Sequence, residues 1–336
     1  MHIVRILTAL CALAISGWAQ PSAGVAGPVT GFIFDAPSGA VRPMLGIPGA
    51  AYLGNVVAAG LNSASVAPDG SAALAVQLGR LVLYTGLRGA TPPVALHVAG
   101  AIAGADLFAW AGNNSANNAA AVYCSRTGKA QILTSLAPSP VAAVPIDLLG
   151  LPGQVTALAF DGQRLIVGVA NSDAGGIYLA SASSGIQRIA HATNPSAIDL
   201  AGASLFFADK QSQQIWQVQS YAGTPAAVLF ANDSGISSPA GLQVSADGQR
   251  LYAANAGSRT LAVYDIASRT PLQSLDLNCT PTRLDLFGDS STFLLNATGQ
   301  GPLYVVRDGG PGKAAAVYFV PSPGNPRPVK DPVRPM

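Results

Sequence analysis

A unit of about 42 residues recurs along this chain, and this internal repeat restricts the fold more than any other sequence feature. The clearest copy runs from Pro239 to Leu277 and reads as four short strands of alternating apolar and polar residues, each followed by a turn. Its Asp247-Gly248 pair is a strong hairpin signal, because Asp and Gly both accept the positive φ that a two-residue turn requires. The repeated unit is therefore a small antiparallel sheet.

Five further copies surround this one. Three of them match well and begin at Gln154, Pro195 and Pro281, whereas two weaker ones cover 63–98 and 107–148. The second weak copy carries an Asn-rich insertion at 113–118. The segment 94–98 fits two interpretations, as the outermost strand of the first weak copy or the innermost strand of the second.

The number of units follows from length. The six copies fill residues 61–320 at about 43 residues each, and residues 20–60 are long enough for one unit more. A single blade cannot bury both faces of its sheet, so blades stack around an axis. We therefore predict a seven-bladed β-propeller of four-stranded antiparallel blades over 20–320, with six blades plus an N-terminal extension as the alternative. The first unit lacks a clean four-strand pattern, and we assign it to ring closure.

The amino-acid composition supports an all-β fold. The chain contains no glutamate, so all 16 acidic residues are aspartates, and it has 37 glycines and 25 prolines. Glutamate favours helices and their N-terminal caps, whereas Gly and Pro favour turns. Strands and turns are what this composition permits.

The first 19 residues are typical of a secretory signal peptide. A basic residue at Arg5 precedes an apolar segment from Ile6 to Ile15, and small residues stand at Gly17 and Ala19. No later run is long and apolar enough for a membrane-spanning helix. We therefore expect a protein that is secreted, periplasmic or at the cell surface.

The tail 321–336 has six prolines, which predicts an extended, disordered segment.

Charge and cysteine content exclude some partners and frameworks. Charged residues make up 10% of the chain and nearly balance, which argues against nucleic acid as a partner because phosphates need a basic face. Removal of the leader leaves Cys124 and Cys279. In a seven-bladed ring they lie three blades apart, and we predict that they do not form a disulfide.

Two segments carry a family resemblance. Residues 245–270 resemble the repeat of the YVTN family of β-propellers, and residues 194–218 look like an NHL-type blade. The resemblance implies a propeller fold in an exported or surface-associated protein. Lactonase-type propellers share this repeat, and the metal-binding members typically include a glutamate ligand, which this chain lacks.

The sharpest candidate site is a polar residue that ends the second strand of four successive units: Asn171, Asp209, Asn255 and Asn296. In a ring these residues recur at one height, where their oxygens could coordinate Ca²⁺ or a small ligand. We favour the alternative, in which each side chain bonds its own turn backbone. No cofactor is expected on this interpretation, and calcium is the alternative. The two histidines beyond the leader, His97 and His191, have no neighbouring nucleophile motif and are assigned structural roles.

Two functions fit the sequence. The first is a non-catalytic propeller that binds or scaffolds an extracytoplasmic protein, peptide or glycan. The second is a lactonase-like or other hydrolase that uses channel-facing Asp and Asn residues.

The leader can be tested directly. Because the apolar segment ends before small residues at Gly17 and Ala19, we expect cleavage after Ala19 and a mature chain that begins with Gln20. N-terminal sequencing of the protein exported by its own host checks this, and an intact Met1 would contradict it.

Overall fold

A computed structural model describes residues 27–112, 118–299 and 301–322. These residues form seven antiparallel sheets arranged as blades in a ring, which confirms the predicted seven-bladed β-propeller. The leader, residues 113–117 of the Asn-rich insertion and the tail beyond 322 lie outside the described residues. In the part of the chain that is described, no helix is long and apolar enough to cross a membrane.

The strands follow chain order from the innermost to the outermost position of each blade. Blade 1 contains β1 (Val29–Asp35), β2 (Ala40–Ile47) and β3 (Ala50–Leu53). Blade 2 contains β4 (Ser63–Val66), β5 (Ala72–Gln77), β6 (Arg80–Thr85) and β7 (Val94–His97). Blade 3 contains β8 (Leu107–Trp110), β9 (Ala119–Cys124), β10 (Lys129–Thr134), β11 (Val141–Ala142) and β12 (Ile146–Asp147). Blades 4 and 5 contain β13 (Gln154–Phe160), β14 (Leu165–Ala170), β15 (Gly176–Ser181) and β16 (Gly185–His191); and β17 (Pro195–Ala201), β18 (Ser204–Asp209), β19 (Gln214–Gln219) and β20 (Ala226–Ala231). Blades 6 and 7 contain β21 (Pro239–Val244), β22 (Arg250–Asn255), β23 (Thr260–Asp265) and β24 (Pro271–Asp276); and β25 (Asp285–Phe287), β26 (Asp289–Leu294), β27 (Leu303–Arg307) and β28 (Ala316–Val320). One 3-10 helix, Ala36–Ser38, joins β1 to β2.

Two blades depart from the regular four strands. The outermost position of blade 3 is divided between β11 and β12, which both pair with β10. Blade 1 has three strands among the described residues. Because β7 pairs with β6, the segment around 94–97 is the outermost strand of blade 2, which settles the ambiguity left by the sequence.

Apolar packing between blades forms the core. Seven clusters of buried side chains lie one at each junction between neighbouring blades, including the junction of blade 7 with blade 1. On β22, Leu251 and Ala253 pack towards blade 5, while Tyr252 and Ala254 pack towards blade 7. Successive strand residues point to opposite faces, so one strand contributes to two interfaces.

The ring closes by side-chain packing between blades 1 and 7. Ile33 and Met44 of blade 1 share a buried cluster with Phe287 of blade 7. A Cβ at Gly31 would lie 2.6 Å from Cζ of Phe287, so only glycine permits this approach. The predicted closure role of the first unit therefore corresponds to a close fit against the last blade.

Two details of the sequence interpretation are wrong. The innermost strand of blade 7 begins at Asp285 and not at Pro281, because the backbone N–H groups of Thr282 and Arg283 both donate to the Leu295 carbonyl and interrupt the ladder. The Asp-Gly turns also differ from the predicted type. Gly248 has a positive φ but Asp247 does not, and the Asp247 carboxylate instead accepts a bond from the Gln249 N–H.

Cys124 and Cys279 are both free, as predicted. Cys124 is buried in blade 3, whereas Cys279 is partly buried beside the cluster between blades 6 and 7. Burial raises the pKa of the Cys279 thiol.

A buried ion pair adds a polar contact between blades 6 and 7. The Arg250 guanidinium donates from Nη2 to Oδ2 of Asp308 at 3.0 Å, and its Nη1 lies 2.6 Å from Oδ1 while it donates to the Gly310 carbonyl. Tyr252 donates its hydroxyl to Oδ1 of Asp308 at 2.7 Å. Burial, with Asp308 next in effect, raises the pKa of Tyr252 above its usual range. Asp308 therefore holds two side chains of the neighbouring blade.

Removal of the Asp308 charge tests this contact. We expect Asp308→Asn to lower the free energy of unfolding by about 3 kcal/mol, because a buried guanidinium loses its main carboxylate partner. Chemical denaturation measures the change. Asp276→Asn on the exposed edge of β24 is the matched control, with an expected change within about 0.5 kcal/mol. Equal effects of the two variants would show that the pair does not stabilise the junction.

Candidate functional site

The innermost strands of all seven blades enclose a central channel with a cavity of about 1020 Å³. The cavity extends to the turns that follow the innermost strands, including Pro68, 161–164 and 245–248. We call the surface formed by these turns the mouth face. A cavity of this size is at the upper end of the range for small-molecule and peptide sites.

The four strand-end residues singled out by the sequence lie away from this cavity. The second strand of a blade runs antiparallel to the first and ends where the first begins, as the pairing of Asp209 with Pro195 and of Asn255 with Pro239 shows. Asn171 directly follows β14, and Asn296 lies two residues beyond β26. All four are therefore at the face opposite the mouth, and none of them lines the cavity.

Each of the four side chains forms hydrogen bonds with nearby backbone groups. Asp209 is buried, and its carboxylate accepts bonds from the N–H groups of Thr193 and Asn194 at 2.7 and 3.0 Å, and from Gln211 at 3.0 Å. Its position is set by the start of its own blade and the turn that follows β18.

The three amides also accept bonds from backbone N–H groups. Oδ1 of Asn171 accepts from the Asp173 and Ala174 N–H groups, Oδ1 of Asn255 accepts from Ser237, and Oδ1 of Asn296 accepts from Tyr304. The Asn171 contacts lie within its own turn, whereas Ser237 precedes β21 and Tyr304 lies on β27, so Oδ1 of the other two amides bonds to backbone outside their own turns. The calcium hypothesis for the four residues stays a prediction. Among the described residues there is no group of three or more His, Cys, Asp or Glu side chains placed to share a metal ion.

The channel contains a carboxylate that the repeat pattern did not reveal. Asp199 lies on the innermost strand β17 of blade 5, and its Oδ2 accepts bonds from Nε2 of Gln243 at 2.9 Å and from the Val244 N–H at 2.6 Å. Burial raises the pKa of Asp199 to about 7, against the lowering effect of bonds from the Val244 and Leu200 backbone N–H groups. The nearby charge of Asp285 adds to the rise. Near neutral pH this group changes its charge inside the cavity.

A second hollow adjoins the cavity at the mouth face. It has a volume of about 510 Å³, lies between blades 4 and 5, and shares Arg164, Gly202 and Tyr221 with the channel. Oδ2 of Asp161 accepts bonds from Tyr221 at 3.0 Å and from Nη1 of Arg164 at 3.1 Å. Burial raises the pKa of Tyr221 to about 12, so its hydroxyl keeps its proton and remains a donor. The three side chains form the wall between the two hollows.

The histidines lie elsewhere. His97 and His191 are exposed on the outermost strands β7 and β16, and neither lines the channel. The structural roles assigned to them stay a prediction.

Comparison with solved structures shows the same fold. A functionally unknown protein from Desulfotomaculum acetoxidans is 13% identical, with a TM-score of 0.60 over 87% of this chain and 99% of that one. A Lactobacillus plantarum protein is 16% identical, with a TM-score of 0.61 over 87% and 96%. A chain in the crystal structure of the Mitotic Checkpoint Complex is 14% identical, with a TM-score of 0.54 over 89% and 95%. At such identities the likeness is one of fold alone.

Sequence comparisons add no family. No protein-family model matches the chain, and no curated protein matches it. The YVTN-type and NHL-type character of the repeats therefore stays a prediction.

The raised pKa of Asp199 predicts a stability that depends on pH. Between about pH 4 and pH 7 the folded protein holds a proton that the unfolded chain has released, so stability falls as the pH rises through this window. Asp199→Asn cannot ionise, and we expect its melting temperature to exceed that of the wild type by about 3 °C at pH 8.

At about pH 5 the folded wild-type carboxyl is protonated and only the first part of this window has been crossed, so the difference between the two melting temperatures should be clearly smaller than at pH 8. Differential scanning calorimetry at both values checks this. A difference that is the same at pH 5 and pH 8 would mean that Asp199 does not titrate in the folded state near neutrality.

Proposed function

We propose that this chain is an exported, non-catalytic β-propeller that binds a peptide segment of an extracytoplasmic partner protein at its mouth face. The observation that carries the proposal is that the channel cavity and the adjoining hollow lie side by side at the mouth face and share lining residues. Cavities of about 1020 and 510 Å³ meet at Arg164, Gly202 and Tyr221. A surface that continues beyond the channel suits an extended chain, which covers about 3.3 Å per residue, better than one compact ligand.

The chemistry of the wall supports a peptide ligand. Arg164 uses Nη1 for its bond to Asp161, and with an exposed fraction of 41% its other donors reach solvent. Peptide carbonyls accept bonds of this kind, and the buried Tyr221 fixes the Asp161 carboxylate beside Arg164 through its hydroxyl. The similar chain in the Mitotic Checkpoint Complex shows that this fold occurs within a protein complex.

We infer export from the leader sequence, and we therefore expect a partner outside the cytoplasm. A glycan is the alternative ligand class, because hydroxyl groups bond to the same donors and carboxylates.

A hydrolase is the second candidate, and one observation favours it. The pKa of Asp199 is about 7, and an acid or base works best when its pKa is near the ambient pH. Two bonds to blade 6 hold its Oδ2 against the wall, which suits a fixed binding group at least as well. Turnover of lactone or ester probes that Asp199→Asn abolishes and Asp276→Asn preserves would establish the hydrolase instead.

Selection from a displayed peptide library tests the binding proposal. With the full chain immobilised, we expect enrichment of a peptide consensus that binds with a Kd of about 1–100 μM. Arg164→Ala should weaken binding of the selected peptide at least about tenfold, because it removes hydrogen-bond donors from the wall between the hollows. Arg126→Ala, at an exposed turn of the opposite face, is the matched control and should leave the affinity unchanged.

Three results would overturn the proposal. They are the absence of any enriched peptide, an affinity that Arg164→Ala does not alter, and a loss of binding in Arg126→Ala. A glycan array probed with the same proteins distinguishes the alternative ligand, since retention of glycans without peptides would assign the site to carbohydrate.

A further inference from the structure

Asp199 differs in its partners from Asp161 and Asp285, two other acidic residues of the channel, while the fourth, Asp106, is exposed and accepts bonds from Ser125. Asp161 is paired with Arg164 at 3.1 Å and Asp285 with Arg283 at 3.4 Å. Asp199 bonds to the neutral side-chain amide of Gln243 and to a backbone N–H, and no cation pairs with it in the described part of the chain. A carboxylate enclosed without a counter-ion is costly, since low-dielectric surroundings disfavour the charge.

The charged side chains around the cavity carry a net negative charge. Four aspartates and two arginines line it, and no lysine or histidine does, which leaves a net charge of −2 when all are ionised. The six are Asp106, Asp161, Arg164, Asp199, Arg283 and Asp285. A narrow space lined by one sign of charge concentrates ions of the opposite sign.

Aromatic rings line another part of the wall. Phe34 of blade 1 and Phe108 and Trp110 of blade 3 are partly buried at the cavity. Nε1 of Trp110 donates to Oγ of Ser65 at 3.0 Å, which fixes the indole ring. Aromatic faces attract cations and pack against apolar side chains. The channel thus combines an unpaired carboxylate on blade 5 with an aromatic wall on blades 1 and 3.

We propose that the channel takes a basic side chain of the bound segment, with its cation on the Asp199 carboxylate and neighbouring apolar groups of the segment on the aromatic wall. This inference rests on the proposed peptide-binding function and names the chemistry that the site selects. The ligand supplies the positive charge that the channel itself lacks at this position.

Binding should depend on pH for the same reason. Phe206 on β18 and Gln243 and Val244 on β21 surround Asp199 and are neutral. Asp285 on β25 is the charged group whose field acts on it. Because burial above all, and this field in addition, disfavours ionisation of Asp199, protonation below about pH 7 removes the charge that the ligand needs.

Two matched peptides test the inference. Both are acetylated and amidated pentapeptides of glycine with one central residue, lysine in the first and uncharged norleucine in the second. The full chain carrying Trp216→Phe reports binding through the fluorescence of Trp110, and a further Trp110→Phe variant supplies the blank for Trp18.

At about pH 8 we expect the lysine peptide to bind at least about tenfold more tightly than the norleucine peptide. Asp199→Asn should lower the affinity for the lysine peptide to that for the norleucine peptide. Lowering the pH to about 6 should weaken lysine binding about fivefold to tenfold in the parent and leave Asp199→Asn unchanged. Asp276→Asn, far from the channel on β24, should behave as the parent.

Equal binding of the two peptides overturns the inference, as does a lysine affinity that Asp199→Asn or the pH does not change. Failure to detect the lysine peptide up to about 5 mM also counts against it. A library consensus without Lys or Arg would overturn the inference and leave the proposed function standing, whereas the absence of any enriched peptide would overturn both.

Discussion

Each blade of this protein depends on its neighbours because a twisted sheet with two apolar faces cannot cover either face by itself. Alternation along the strands sends successive side chains into different clusters, as Leu251 and Tyr252 on β22 do. Seven such clusters, one at every junction, form the buried core of a chain with little charge. The channel follows from this arrangement, because blades that pack face to face leave their innermost edges around a common axis.

The fold was predictable because the information that defines it is repeated. Turn signals such as Asp247-Gly248 mark the same point in several units, and an error in one copy is corrected by the others. Details that depend on one copy were less predictable. The shortened innermost strand of blade 7 follows from two N–H groups that share the Leu295 carbonyl, and no local sequence pattern shows this contact.

The candidate site was harder to predict for the opposite reason. Repetition drew attention to Asn171, Asp209, Asn255 and Asn296, and the side-chain oxygens of all four accept bonds from backbone N–H groups. Asp199 occurs once, and its distinctive features arise from blade 6 and blade 7 and not from its own unit. One local signal was present. An aspartate between Ile198 and Leu200, inside a strand and away from any turn, has no structural explanation within the repeat.

Every blade in the described chain is built from one continuous stretch of sequence, and no strand is exchanged between the first blade and the last. Blades 1 and 7 meet through side chains such as Ile33, Met44 and Phe287. The junction between the first and the last blade is therefore of the same kind as the other six. A circularly permuted chain, with its original ends joined and new ends placed between two other blades, would keep all seven interfaces and the same channel, so the ring has no obligatory first blade.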